Sequence, residues 1–166
     1  MLDRPEPLFF APFVSSIMTV EPQWIDYNGH LNMAYYNVMM DRAIDQLWLH
    51  LGIGPTYMKE RHGSSFTAEA HVRYLREIHQ GDPVQVAVWM LAADEKRVHT
   101  FEELRHATEG WVSATSENIT LHIDMKVRKV APFPLDIQAR IAAVLATHDA
   151  LPRPEGTGRK IAMPGK

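Results

Sequence analysis

The chain has no cysteine among its 166 residues. That removes a disulfide framework, a thiolate zinc site and a cysteine nucleophile together. It is compatible with a reducing compartment and does not require one. No stretch approaches the ~20 consecutive apolar residues of a membrane-spanning helix. A surplus of charge is also lacking: 17 basic against 20 acidic side chains leave a net −3 with the nine histidines neutral. A nucleic-acid surface or a polybasic membrane anchor would need a basic excess. There is no phosphate-binding glycine fingerprint, no cluster with metal-ligand spacing and no internal repeat. The composition that remains is ordinary, 46% hydrophobic and 22% charged, and the length suits one domain with a real core.

The order of patterns predicts the architecture. Residues 1–14 are proline-rich and read as an extended arm; Asp3, Pro5 and Pro7 stand where a secretory leader needs a basic start and an unbroken apolar run, so a cytoplasmic location is expected. One domain over 15–150 and a mobile tail over 151–166, rich in Pro, Gly and basic residues, follow. Val14 to Glu21 alternates with apolar residues in both sets, which predicts a strand covered on both faces and ended by Pro22. From Met33 the spacing turns helical through Tyr36, Met40, Ala43 or Ile44, Leu47 and Leu51. Asn32 is the expected N-cap, and Gly52, Gly54 and Pro55 are the expected stop. Four strands follow, over Phe66 to His79, Val84 to Ala92, Arg97 to His106 and Trp111 to Ile123, joined by turns short enough for antiparallel pairing. Leu135 to His148 has a short helical pattern.

The segment Trp24 to Tyr36, W-I-D-Y-N-G-H-L-N-M-A-Y-Y, places Asp26, Asn28, His30 and Asn32 in a polar turn that opens onto the long helix. Free backbone N–H groups and the positive end of a helix dipole gather at such a place. On its residues alone, Asp26 reads first as a turn or capping aspartate and only second as a nucleophile or general base. Asn28 suits a turn beside Gly29, and Asn32 suits a cap. Glu69 is the next carboxylate candidate, with a solvated strand face as its plain alternative. Ser116, Glu117 and Asn118 are polar residues in mid-strand, fit for a cleft, a partner face or solvent. The aromatic residues Trp24, Tyr27, Tyr35, Tyr36 and Trp48 gather around the turn and helix, where core packing explains most of them.

This order, with W-I-D-Y-N-G-H-L-N-M-A-Y-Y-N-V-M-M-D-R-A at 24–43 and E-A-H-V-R-Y-L-R-E-I-H-Q-G-D at 69–82, resembles the hotdog-fold acyl-CoA thioesterases of the 4-hydroxybenzoyl-CoA thioesterase type. The D-Y-N-G-H-x-N pattern more narrowly resembles the betainyl-CoA thioesterase branch of carnitine breakdown. The resemblance spans roughly residues 15–125. It implies an α+β hotdog fold, a curled antiparallel sheet of about five strands wrapped around one long central helix. It implies hydrolysis of a small or medium acyl-CoA to free acid and CoA, with no metal and no cofactor beyond the CoA of the substrate. Asp26 would be nucleophile or general base, His30 and Asn28 would assist, and Trp24, Tyr27, Asn32, Tyr35, Tyr36 and Glu69 would meet substrate. A homodimer or homotetramer is implied, with the cleft between subunits and no nucleic-acid or membrane partner. The alternatives are a hydratase or dehydratase of the same fold, and a non-catalytic acyl-CoA-binding domain.

Overall fold

The computed structural model describes residues 11–165, so most of the expected N-terminal arm lies outside the described residues. Helix α1 (Met33–His50) has chemically fixed ends. The Asn32 side-chain oxygen accepts from the Ala34 N–H at 3.0 Å, and Gly52 takes a left-handed φ of 82° just past the last turn. Between these ends Tyr36, Met39, Met40, Ala43, Ile44, Leu47 and Trp48 form one buried stripe.

That stripe packs on the inner face of an antiparallel sheet. Its long strands are β3 (Gly63–Tyr74), β4 (Pro83–Ala93), β5 (Arg97–His106) and β6 (Val112–Asp124). Three two-residue strands add to it: β1 (Phe13–Val14) and β2 (Met18–Thr19) on β4, and β7 (Lys129–Val130) on β6. The main order is β1-β4-β5-β6-β3. Val84, Val86, Val88 and Met90 of β4 and Leu104 of β5 meet the α1 stripe in one core. Helix α3 (Leu135–His148) adds Ile137, Ile141 and Val144 to the same core. An α+β fold with a single long helix against an antiparallel sheet therefore stands as expected, with four long strands in place of a uniform five.

Several boundaries differ from the expected ones for local reasons. The strand expected over Val14 to Glu21 is two short pieces. Ser15 exchanges bonds with Val86 through its amide and its hydroxyl, and Ser16 turns away to Gln46 of α1, so the ladder is broken between them. Val14 and Ile17 are exposed, so this edge is not covered on both faces within one chain. Pro55, read as a stop, is also the first residue of a separate helix, α2 (Pro55–Arg61), where its missing N–H has no cost. The strand expected over Phe66 to His79 starts earlier and ends at Tyr74. Leu75 and Arg76 both donate their N–H groups to the Ser113 carbonyl, which turns the chain out of the ladder. A bulge at Ala68 shifts its register against β6 between Thr67 and Glu69.

The outer face of the sheet carries a small cluster of Ala87, Trp89 and Phe101, against which Leu91 and Leu151 pack. Here the C-terminal tail is seated: Pro154 is buried and the Gly158 N–H donates to Glu117 at 2.7 Å. No helix among the described residues is long and apolar enough to cross a membrane.

Candidate active site

Residues 25–31 form a tight loop closed by a bridge between Ile25 and Leu31. The Asp26 N–H donates to the His30 carbonyl, and the Gly29 N–H donates back to the Asp26 carbonyl. Gly29 sits at φ 82°, a left-handed conformation that costs glycine little. The loop is held to the rest of the fold from both ends. Asn32 N–H donates to the Trp24 carbonyl, and Leu31 N–H donates to the Ile78 carbonyl in the segment that leaves β3. The residues expected to continue β3 therefore leave the sheet and fix the polar turn in place.

Asp26, half-buried, points one carboxylate oxygen at its own turn: the Asn28 N–H donates to Oδ1 at 2.8 Å. Its Oδ2 has no hydrogen bond within the described residues. Opposite it is the start of α1. The Ala34 N–H is taken by the Asn32 side chain and the Tyr35 N–H by the Asn32 carbonyl. The Met33 N–H has no hydrogen-bond partner among the described residues. Asp26 and Met33 line one cleft of about 470 Å³, together with Tyr27, Asn28, His30, Asn32, Tyr36 and the end of β3. A carboxylate with one free oxygen and a bare N–H at a helix N-terminus can serve a base or nucleophile and an oxyanion donor on the same carbonyl.

The other expected site residues divide. His30 lines this cleft, and its ring Nδ1 lies 3.3 Å from the Leu31 carbonyl rather than on the Asp26 carboxylate. Tyr36 lines the cleft but is buried, edge-on to Tyr74. Trp24 and Tyr35 stack on each other at 5.5 Å, with the Arg42 guanidinium over the Trp24 ring. Trp48 is buried in the core and Tyr27 is 98% exposed. Of these rings, Tyr27 and Tyr36 line the Asp26 cleft, while Trp24, Tyr35 and Trp48 do not. Glu69 stands apart: it pairs with Ile119 on the outer face of the sheet, away from α1. The nearby outer-face pair of His99 and Glu117, 2.7 Å apart, is likewise remote from Asp26.

Sequence reasoning missed Glu102. It lies in the middle of β5, 3% exposed, and faces α1 beside Ser116 and Asn118 of β6. Burial, and secondarily the charge of Asp41, push its carboxyl up to about 8. The signal was hidden because Glu102 and Glu103 are adjacent, and only the pairing with Val88 and Ser116 decides which one points inward.

The profile of the thioesterase-like superfamily matches residues 20–141. A betainyl-CoA thioesterase of Pseudomonas aeruginosa is 38% identical over 145 residues, covering 87% of this chain and 91% of that one. A hypothetical protein of Staphylococcus aureus solved in complex with CoA superposes with a TM-score of 0.85 at 27% identity, covering 93% of this chain and 98% of that one. A putative thioesterase of Pseudomonas putida superposes with a TM-score of 0.81 at 31% identity, over 94% and 99% of the two chains.

Proposed function

The chain belongs to the thioesterase-like superfamily, and from that premise we propose that it hydrolyses an acyl-CoA, betainyl-CoA foremost, in the cleft that holds Asp26. The single observation that carries the site is the pairing of a half-free carboxylate with the unpartnered Met33 N–H in one cleft.

In this reading the thioester carbonyl oxygen accepts from the Met33 N–H. The peptide dipoles of α1 favour the negative charge that develops there. Asp26 Oδ2 acts on the carbonyl carbon, directly or by taking a proton from a water that attacks it. The C–S bond then breaks and CoA leaves as the thiolate, which takes up the proton; on the direct route a water then hydrolyses the acyl–Asp26 anhydride, releasing the acid and restoring the carboxylate. Asn28 holds the other Asp26 oxygen through its N–H, which fixes the carboxylate's direction. His30 lines the path of the carbonyl. The carboxylate and the N–H suffice for the chemistry, so the reading includes no metal and no organic cofactor.

Assembly belongs to the same reading. β5 and β6 are paired on both sides, so they are interior strands; the long strand with an open edge is β3. An open edge of this length invites another strand. A second copy pairing along β3 gives a dimer whose clefts lie at the junction. Thiol release over a panel of acyl-CoAs that includes betainyl-CoA tests the activity. Absence of thiol release from every acyl-CoA by the folded protein would remove the proposal.

A further inference from the structure

One cavity is separate from the Asp26 cleft and built differently. It holds about 340 Å³ between α1 and the inner face of the sheet, and it shares no lining residue with the Asp26 cleft. Glu102 lies in its wall. Asn118 Nδ2 donates to Glu102 Oε1 at 3.0 Å, and Ser116 Oγ donates to Asn118 Oδ1 at 3.0 Å. This short chain of donors fixes the carboxyl and satisfies one of its oxygens. The other, Oε2, is buried and has no hydrogen-bond partner.

The surroundings do not answer that oxygen. Asp41 of α1 also lines the cavity, and it and Glu102 are the titratable groups there; no Lys, Arg or His lines it. β4 sets Val88 across from Glu102, and β3 contributes Thr67 and Ala70. A buried carboxyl with one bare oxygen beside a second acid destabilises the fold, and an apolar residue of similar size would not. A cation bound there would displace the proton that burial otherwise keeps on Glu102 and would offset both the burial and the repulsion. Val38, Met40 and Ile44 give the cavity an apolar wall, which suits a cation with methyl groups on its surface.

We propose that Glu102, with Asp41 across the cavity, is the subsite for the quaternary ammonium head of the acyl group. The inference rests on the thioesterase reading above. In a betainyl group the ammonium nitrogen is two bonds from the carbonyl carbon, about 2.5 Å. Met33 and Asp41 stand eight residues apart on α1, about 12 Å by helical rise. The head and the carbonyl of one substrate therefore use cavities of two different copies. β3 carries both: Thr67 and Ala70 line the Glu102 cavity, and Tyr74 and Leu75 line the Asp26 cleft. Were two β3 edges to pair antiparallel about an axis near His71, Thr67 of one copy would stand opposite Leu75 of the other. That would juxtapose one copy's Glu102 cavity with the other copy's Asp26 cleft.

The test compares betainyl-CoA with 3,3-dimethylbutanoyl-CoA, which has the same shape without the charge. Glu102→Gln is expected to lower kcat/KM for betainyl-CoA by about 30-fold or more and to change the neutral ester by less than about 3-fold. Asp41→Asn alters an exposed residue, so folding is not at stake, and a smaller loss confined to betainyl-CoA is expected. Tetramethylammonium chloride should compete with betainyl-CoA in the wild type and much less in Glu102→Gln. Equal losses on both esters, or no loss on either, overturn the inference. A wild type that hydrolyses the neutral ester as well as betainyl-CoA also overturns it and leaves the thioesterase reading standing. A wild type that hydrolyses neither ester overturns the inference, and the thioesterase reading falls with it only if no other acyl-CoA releases thiol.

Discussion

At the scale of single residues, two carboxylates in one chain have opposite surroundings. Asp26 is fastened by one backbone N–H in a half-open turn; Glu102 is sealed between a helix and a sheet. Asp26→Asn keeps an oxygen for the Asn28 N–H, so the turn should hold, but the side chain no longer accepts a proton or attacks. Turnover of the best substrate should fall by about 100-fold or more with the melting temperature nearly unchanged. Unaltered turnover in a folded variant would remove Asp26 from the mechanism. Glu102 should reveal itself in stability. Burial pushes its carboxyl up to about 8 in the folded chain, from an ordinary value of 4.5 when exposed. Folding then holds a proton that the unfolded chain has released. This contribution is fully present below the unfolded value and is lost as pH rises through about 8. Thermal melts should show wild type losing stability between pH 5 and 9 relative to Glu102→Gln; parallel curves would contradict the buried titration. The place of Asp26, in a turn that opens onto α1, was legible in the sequence because a turn and a helix pattern meet beside it. Glu102 was not, because strand alternation names two faces without saying which one is covered.

At the scale of elements, α1 was legible from end to end because both of its ends are local chemistry, an asparagine cap and a glycine stop. β5 was legible for the same reason, with turn residues on either side. The end of β3 was not, since its stop is the distant Ser113 carbonyl, which accepts from Leu75 and Arg76. α2 was hidden by Pro55, a residue that ends one helical pattern and begins another. The cap of α1 should also matter to the reaction. Asn32→Ala removes the acceptor for Ala34 and is expected to lower stability by about 1 kcal/mol. It should also lower kcat more than it raises KM, since Asn32 is a positioning residue for the first turn. Asn32→Ser, which caps as well, should restore both; an Ala variant with normal kcat would reduce Asn32 to a structural cap. The bulge at Ala68 has a comparable role in β3. Thr67 and Ala70 are three residues apart yet line the same cavity, because the bulge lies between them. Deleting Ala68 should turn one side of that pair outward, where substituting it would not.

At the scale of the whole molecule, the proposal makes the two cavities of one chain complementary halves of a site that a second copy completes. A mixing experiment follows. Asp26→Asn and Glu102→Gln protomers, unfolded together and refolded at equal ratio, should regain about a quarter of the wild-type sites for betainyl-CoA, because half of the pairs carry one intact composite site. Sites contained within single chains would give no recovery. Sedimentation should show a dimer or a larger assembly at micromolar concentration, and a fully active monomer would contradict the shared site. A dimer was implied by family resemblance alone, whereas the open β3 edge proposed for it became visible only from strand order, which makes β5 and β6 interior. The open edge of β3 also sets a clock. On an isolated chain, the backbone amides that point outward from Gly63–Tyr74 face water and should exchange with deuterium quickly. Once two chains pair, those amides should slow by orders of magnitude, while the amides already bonded to β6 change little. Isotope uptake along this one strand, followed over a dilution series, would therefore read out the dissociation constant of the assembly residue by residue.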